Sequence, residues 1–103
     1  MNPTQPAVRK VLELSTAHLP EQMYAELNGY DGVVADPLPY GTLLWVPDDP
    51  DEHAAGYGDE PEVFDGVPPE VLAVQRYARA QGCDHVRFDC DAATIPDLPT
   101  WDW

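Results

Sequence analysis

The stretch Gly82-Cys83-Asp84-His85-Val86-Arg87-Phe88-Asp89-Cys90-Asp91 changes period as it is read. Upstream of it, Val67, Val71, Val74 and Ala78 recur at helical spacing, and Arg76 and Arg79 lie off that stripe. Pro68-Pro69-Glu70 suits the first turn of a helix, where proline loses no hydrogen bond and an acid faces the positive end of the dipole. The helix is predicted to run to about residue 81, and Gly82 stops it. From Asp84 the apolar residues alternate instead. Val86, Phe88 and Cys90 fall on one side; His85, Arg87, Asp89 and Asp91 fall on the other. That is the pattern of a half-buried strand. A helix therefore feeds directly into the last strand.

Working outward, residues 9–14 are rich in Val and Leu and predict a first strand. Ser15 and Thr16 can cap the next turn, and Pro20 can open a helix over 20–27, ended by Asn28-Gly29. Two apolar runs at 32–36 and 42–46 predict a hairpin, with Pro37-Leu38-Pro39-Tyr40-Gly41 as its turn. The order is βαββαβ, the split βαβ arrangement. The expected fold is thus an α+β, ferredoxin-like domain over 1–103. It has a four-stranded antiparallel sheet with two helices on one face and the other face open unless the acidic loop or the tail covers it. Residues 1–7 read as a loose arm, 48–66 as a long acidic loop, and 92–103 as an aromatic tail. There is no internal repeat.

A chain of 103 residues suits one domain. At this size folding buries roughly two thirds of the unfolded surface, enough for a core without metal or disulfide. Nineteen acids stand against five bases, a formal net charge of -14, and Lys10 is the only lysine. A field of that sign repels nucleic acid and anionic membranes and attracts basic surfaces. No direct nucleic-acid contact and no membrane contact are expected. Residues 1–20 hold no apolar run of signal-peptide length, and nothing nears a membrane span. Cys83 and Cys90 flank the last strand. They would lie roughly 20 Å apart along it, beyond the ~7 Å a disulfide allows. A reducing, cytoplasmic setting is the expectation.

Three segments carry a resemblance. They are Leu12-Glu13-Leu14-Ser15-Thr16-Ala17-His18-Leu19, then Tyr40-Gly41-Thr42-Leu43-Leu44-Trp45-Val46-Pro47, then residues 82–91 with Leu98-Pro99 and Asp102-Trp103. Together they resemble a family of small uncharacterised bacterial proteins, a domain of unknown function found in accessory regions and mobile elements. The resemblance implies a bacterial source and an accessory role. It implies no activity.

Candidate chemistry is sparse. Ser15, Thr16 and His18 could join an Asp in a hydrolase, but triads are defined by geometry, and no nucleophile elbow is visible. Helix capping explains those residues more simply. Glu13, Asp89 and Asp91, with His85 or His18, could hold a cation; Arg87 on the same side could neutralise them instead. The run from Asp48 to Glu52 lacks the spacing of an EF-hand, and Pro50 interrupts it. No phosphate cradle, metal motif or cofactor motif is present, so no cofactor and no metal are expected.

The leading expectation is an acidic protein-binding inhibitor that occupies a basic surface. In its sharp form it is a nucleic-acid mimic blocking the basic site of a bacterial defence system, of anti-CRISPR or anti-restriction type. The partner is then a nucleic-acid-binding protein or complex. The contact residues would be Asp48, Asp49, Asp51, Glu52, Asp59, Glu60, Glu62, Asp65, Asp89 and Asp91, with Trp101 and Trp103 of the tail as anchors. Asp97 and Asp102 would add to the field. The rival is a small enzyme or ligand-binding domain using Glu13, His18, Trp45, Arg87 and Asp89 on the open sheet face.

Overall fold

The computed structural model describes residues 10–56 and 66–102. Asp59, Glu60, Glu62, Asp65 and Trp103 lie outside the described residues, as does the arm at 1–7.

Four strands form one sheet: β1 (Val11–Ser15), β2 (Ala35–Leu38), β3 (Gly41–Trp45) and β4 (His85–Asp89). Three helices accompany them: α1 (Glu21–Ala25), α2 (Pro50–Ala55) and α3 (Pro69–Ala80), with 3-10 turns at Thr16–His18 and Leu27–Gly29. The strand order is β1-β4-β3-β2. β3 pairs antiparallel with both β2 and β4, whereas β1 pairs parallel with β4. The α+β class holds, but the sheet is mixed. The expected all-antiparallel sheet is corrected at the β1–β4 pair. Alternation along a strand says which face a side chain takes; it is silent about the direction of the neighbour.

β4 is hydrogen-bonded on both sides, and its inward residues Val86 and Phe88 are fully buried. Each contributes roughly 2 kcal/mol by burial. In register with them are Leu12 and Leu14 on β1 and Leu44 and Thr42 on β3. Tyr24 of α1 sets its ring edge-on to Phe88, centroids 6.0 Å apart, and its hydroxyl accepts from Thr42 Oγ1 at 2.9 Å. Val71, Val74 and Ala78 of α3 complete the core with Leu19, Leu27, Val46 and Leu98.

α3 ends as the sequence predicts. Gly82 takes φ +78°, Cys83 N–H donates to Ala78 O at 2.8 Å, and Gly82 N–H to Arg79 O at 2.9 Å. This is the Schellman closure, which needs a left-handed residue after the cap.

Three local expectations are corrected. Residues 48–56 are not irregular loop. Asp49 caps α2, its Oδ1 accepting from Glu52 N–H at 3.1 Å, and Pro50 opens the helix rather than interrupting it. Proline at that position loses no intrahelical bond. β2 lies three residues later than predicted and contains Pro37. It is an edge strand, where a missing N–H is tolerated. The turn shrinks to Pro39-Tyr40. Finally, β4 ends at Asp89, so Cys90 is an exposed turn residue and not part of the buried row.

Gly41 faces the backbone of β4, and a β-carbon there would overlap the Phe88 carbonyl oxygen. Gly41→Ala should cost roughly 3 kcal/mol or more, read as a lower urea midpoint. Gln75 is fully buried, and neither amide atom has a hydrogen-bond partner among the described residues. Replacing it with Met removes that desolvation cost. Gln75→Met should raise stability by about 1–2 kcal/mol in the same measurement.

Candidate functional site

Sheet register builds the outer face row by row. β4 places His85, Arg87 and Asp89 outward, and pairing puts Glu13 and Leu43 on either side of Arg87. Asp36 of β2 extends that row. The next row holds Val11, His85 and Trp45, and Val34 extends it through the bond from Trp45 N–H to Val34 O at 2.9 Å. The third holds Asp89, Gly41 and Leu38. Val11, Val34, Leu38 and Tyr40 are the exposed large apolar residues among those described.

Arg87 sits between two carboxylates. Its Nη2 lies 3.2 Å from Glu13 Oε1 and 3.5 Å from Asp89 Oδ2. Asp89 Oδ1 also accepts from Asp91 N–H at 2.8 Å. A cleft of about 490 Å³ opens beside them, lined by Tyr24, Tyr40, Arg87, Asp89, Cys90 and Asp91 among others. One donor atom from each of Asp89, Cys90 and Asp91 lies within 4.8 Å of the others, a spacing a cation could use. Sequence reasoning had missed Tyr24, Tyr40 and Cys90 here. Tyr40 was legible only as a turn residue, because its 86% exposure is a tertiary fact.

Of the ligand-site residues anticipated on the open face, the structure brings Glu13, Arg87 and Asp89 together. Trp45 stands one row away, its ring 5.2 Å from that of His53 on α2. His18 is not with them. It is buried; its Nε2 accepts from Ile95 N–H at 3.0 Å and its Nδ1 lies 2.9 Å from Pro99 O. Since Nε2 must accept, Nδ1 carries the proton and donates. His18 is thus a clasp for the tail and cannot reach the open face. Ser15 caps the 3-10 turn by accepting from Ala17 N–H at 3.1 Å, so the hydrolase grouping does not assemble.

The tail lies on the domain. Leu98 is buried, and Trp101 N–H donates to Ala17 O at 2.8 Å.

The acids anticipated at a partner contact fall into two groups. Asp48, Asp49, Asp51 and Glu52 gather at the start of α2, near the His85 end of β4. Asp51 pairs with Arg76 and Asp48 with Arg79, whose guanidinium also donates to Val46 O and Pro47 O at 2.7 Å each. Arg79 thereby ties α3 to the chain leaving β3. Asp89 and Asp91 stand at the other end of β4, roughly 13 Å along the strand. Among the described residues, Asp49, Glu52, Asp91, Asp97 and Asp102 have no cation within ion-pair distance. The Arg76 hydrogen bond holds the Asp51 carboxyl below its ordinary value. A lowered folded value stabilises at neutral pH, and that contribution fades as pH falls through the carboxylate range. The pair is exposed, so the effect is small. Burial, then Glu26 and Glu70, push the Tyr30 phenol above its ordinary value.

Residues 11–103 match the model of a family of unknown function (DUF5983), C-terminal domain, and the chain belongs to that family. No curated protein and no solved structure matches it. Among the described residues no helix is long and apolar enough to cross a membrane.

His18→Ala orphans Ile95 N–H and Pro99 O together. It should cost roughly 2–4 kcal/mol in urea unfolding and make residues 95–101 the first site of limited proteolysis. Stability unchanged, with the tail still protected, would show that the clasp is idle.

Proposed function

We propose that this domain is an acidic protein-binding inhibitor that occupies a basic surface on another protein, without catalysis. The observation that carries this is the uncompensated negative charge. Three of the four described cations are engaged by Asp51, Asp48, Glu13 and Asp89, and exposed carboxylates at both ends of the sheet remain unpaired among the described residues. Such a field steers a positive partner and repels nucleic acid. In its sharper form, the carboxylates stand where phosphates would lie in the basic site of a nucleic-acid-binding protein. A bacterial defence complex, of CRISPR or restriction type, is the partner class of that form. Net charge of -14 is ample for a site that contacts about 6–10 phosphates. Two separated groups of acids suit an elongated basic track better than a point-like pocket. The cytoplasm is where such a partner would be met.

A second reading takes the cleft beside Arg87 as a small-ligand site, on the strength of its volume and of the Tyr24 and Tyr40 walls. Arg87→Ala separates the two. It should abolish ligand binding in the second reading and change partner binding little in the first.

The test is capture of partners on the immobilised domain from a bacterial lysate. Captured protein should be released between roughly 50 and 200 mM salt and displaced by duplex DNA. The variant Asp48→Asn, Asp49→Asn, Glu52→Gln, Asp91→Asn should slow association by about tenfold or more. Asn also caps helices, so α2 should persist and circular dichroism should be unchanged. Capture indifferent to salt, DNA and these substitutions would sink the proposal.

A further inference from the structure

We infer that the tail is an acid-released strap, held by His18 while its imidazole is neutral and let go when the ring takes a proton.

Both ring nitrogens of His18 hold the same segment, 77 and 81 residues away in the chain. Nε2 accepts from Ile95 N–H at 3.0 Å, and Nδ1 donates to Pro99 O at 2.9 Å. Only the neutral ring protonated at Nδ1 does both, because a doubly protonated ring has no acceptor left. A proton on Nε2 would point at Ile95 N–H, donor against donor. His18 is 1% exposed, so the new charge would also sit out of water.

The titratable groups on the elements around the ring are Glu13 of β1, Glu21 and Tyr24 of α1, Asp89, Cys90 and Asp91 at the end of β4, and Asp97 and Asp102 of the tail. Asp89 faces Arg87, the Tyr24 hydroxyl is bonded to Thr42, and the others are exposed. Among the described residues no carboxylate lies within ion-pair distance of His18 to offset a charge there.

What else holds the tail is modest: Trp101 N–H donates to Ala17 O, and Leu98 is buried. Residues 92–102 form no helix or strand, so the segment can leave without breaking one. Histidine changes charge between about pH 5 and 8, above the carboxylate range near about 4. Acid therefore acts on the clasp before it neutralises the surface acids. The hold is present at neutral pH and lost as pH falls. Release presents Leu98 and Trp101 to solvent and bares the apolar seat under Leu98.

The test is amide hydrogen exchange at about pH 7.5 and about pH 5.5, expressed as protection factors to remove the intrinsic pH effect. Protection of Ile95 and Trp101 should fall by about tenfold or more at the lower pH, while Val86 and Phe88 of β4 keep theirs. The imidazole nitrogen signals of His18 should pass to the doubly protonated form over the same range. His18→Gln keeps an acceptor for Ile95 N–H but takes no proton, so its tail protection should not change with pH. His53 and His85 remain in that variant, and any response of theirs would persist in it. Equal Ile95 protection at both pH values, or the same acid loss in His18→Gln, would overturn the strap. So would a His18 ring that takes its proton with Ile95 still protected, or β4 losing protection in step with the tail.

Discussion

Hydrogen bonding of β4 on both of its edges is the constraint on which the rest depends. In the sheet β4 lies between β1 and β3 and hydrogen-bonds to both. Val86 and Phe88 are buried because α3, Tyr24 and the neighbouring strands close over them from one side. The same alternation turns His85, Arg87 and Asp89 to the other side, away from that core. The candidate site is therefore the reverse side of the core. Any change that displaces β4 moves both at once.

The connections around that strand explain where charge is spent. Arg79 holds the chain leaving β3 to the end of α3, and Arg76 ties α3 to α2 through Asp51. Arg87 bridges β1 to β4 through Glu13. These arginines are structural ties between elements. With so few cations used internally, the surplus of acids has no counterpart within the described domain. A cation-bearing partner would supply what the fold lacks. The clasp of His18 works by a different principle. It satisfies two backbone groups of the tail in a buried place, where leaving them unpaired would cost far more than on the surface.

Much of this was legible in the sequence. The periodic stripe of Val71, Val74 and Ala78 and the stop at Gly82 have strong local signatures and stand within a residue of their expected places, while the alternation expected through Asp91 holds only from His85 to Asp89. α2 was missed because Pro50 among acids reads as loop, although the same residues make a good helix start once Asp49 is its cap. β2 was misplaced because proline signals a turn, and its tolerance on an edge depends on knowing which strands are edges. Glu13, Arg87 and Asp89 were anticipated as neighbours because the first and last strands were expected to pair. His18 was wrongly grouped with them, since a histidine in sequence looks the same whether it faces a cleft or clasps a tail.

The sequence by itself determined the charge, the order of the four strands with a helix after the first and another before the last, and which face of the last strand is apolar. These come from composition and from periods of about 2 and 3.6 residues, which are local properties of the chain. Only the tertiary structure decided that β1 runs parallel to β4, that Tyr40 stands in solvent, and that the acids near α2 and those at Asp89 and Asp91 fall at opposite ends of β4. Strand direction and side-chain company are set by pairings between residues far apart in the chain. Local periodicity carries no record of those.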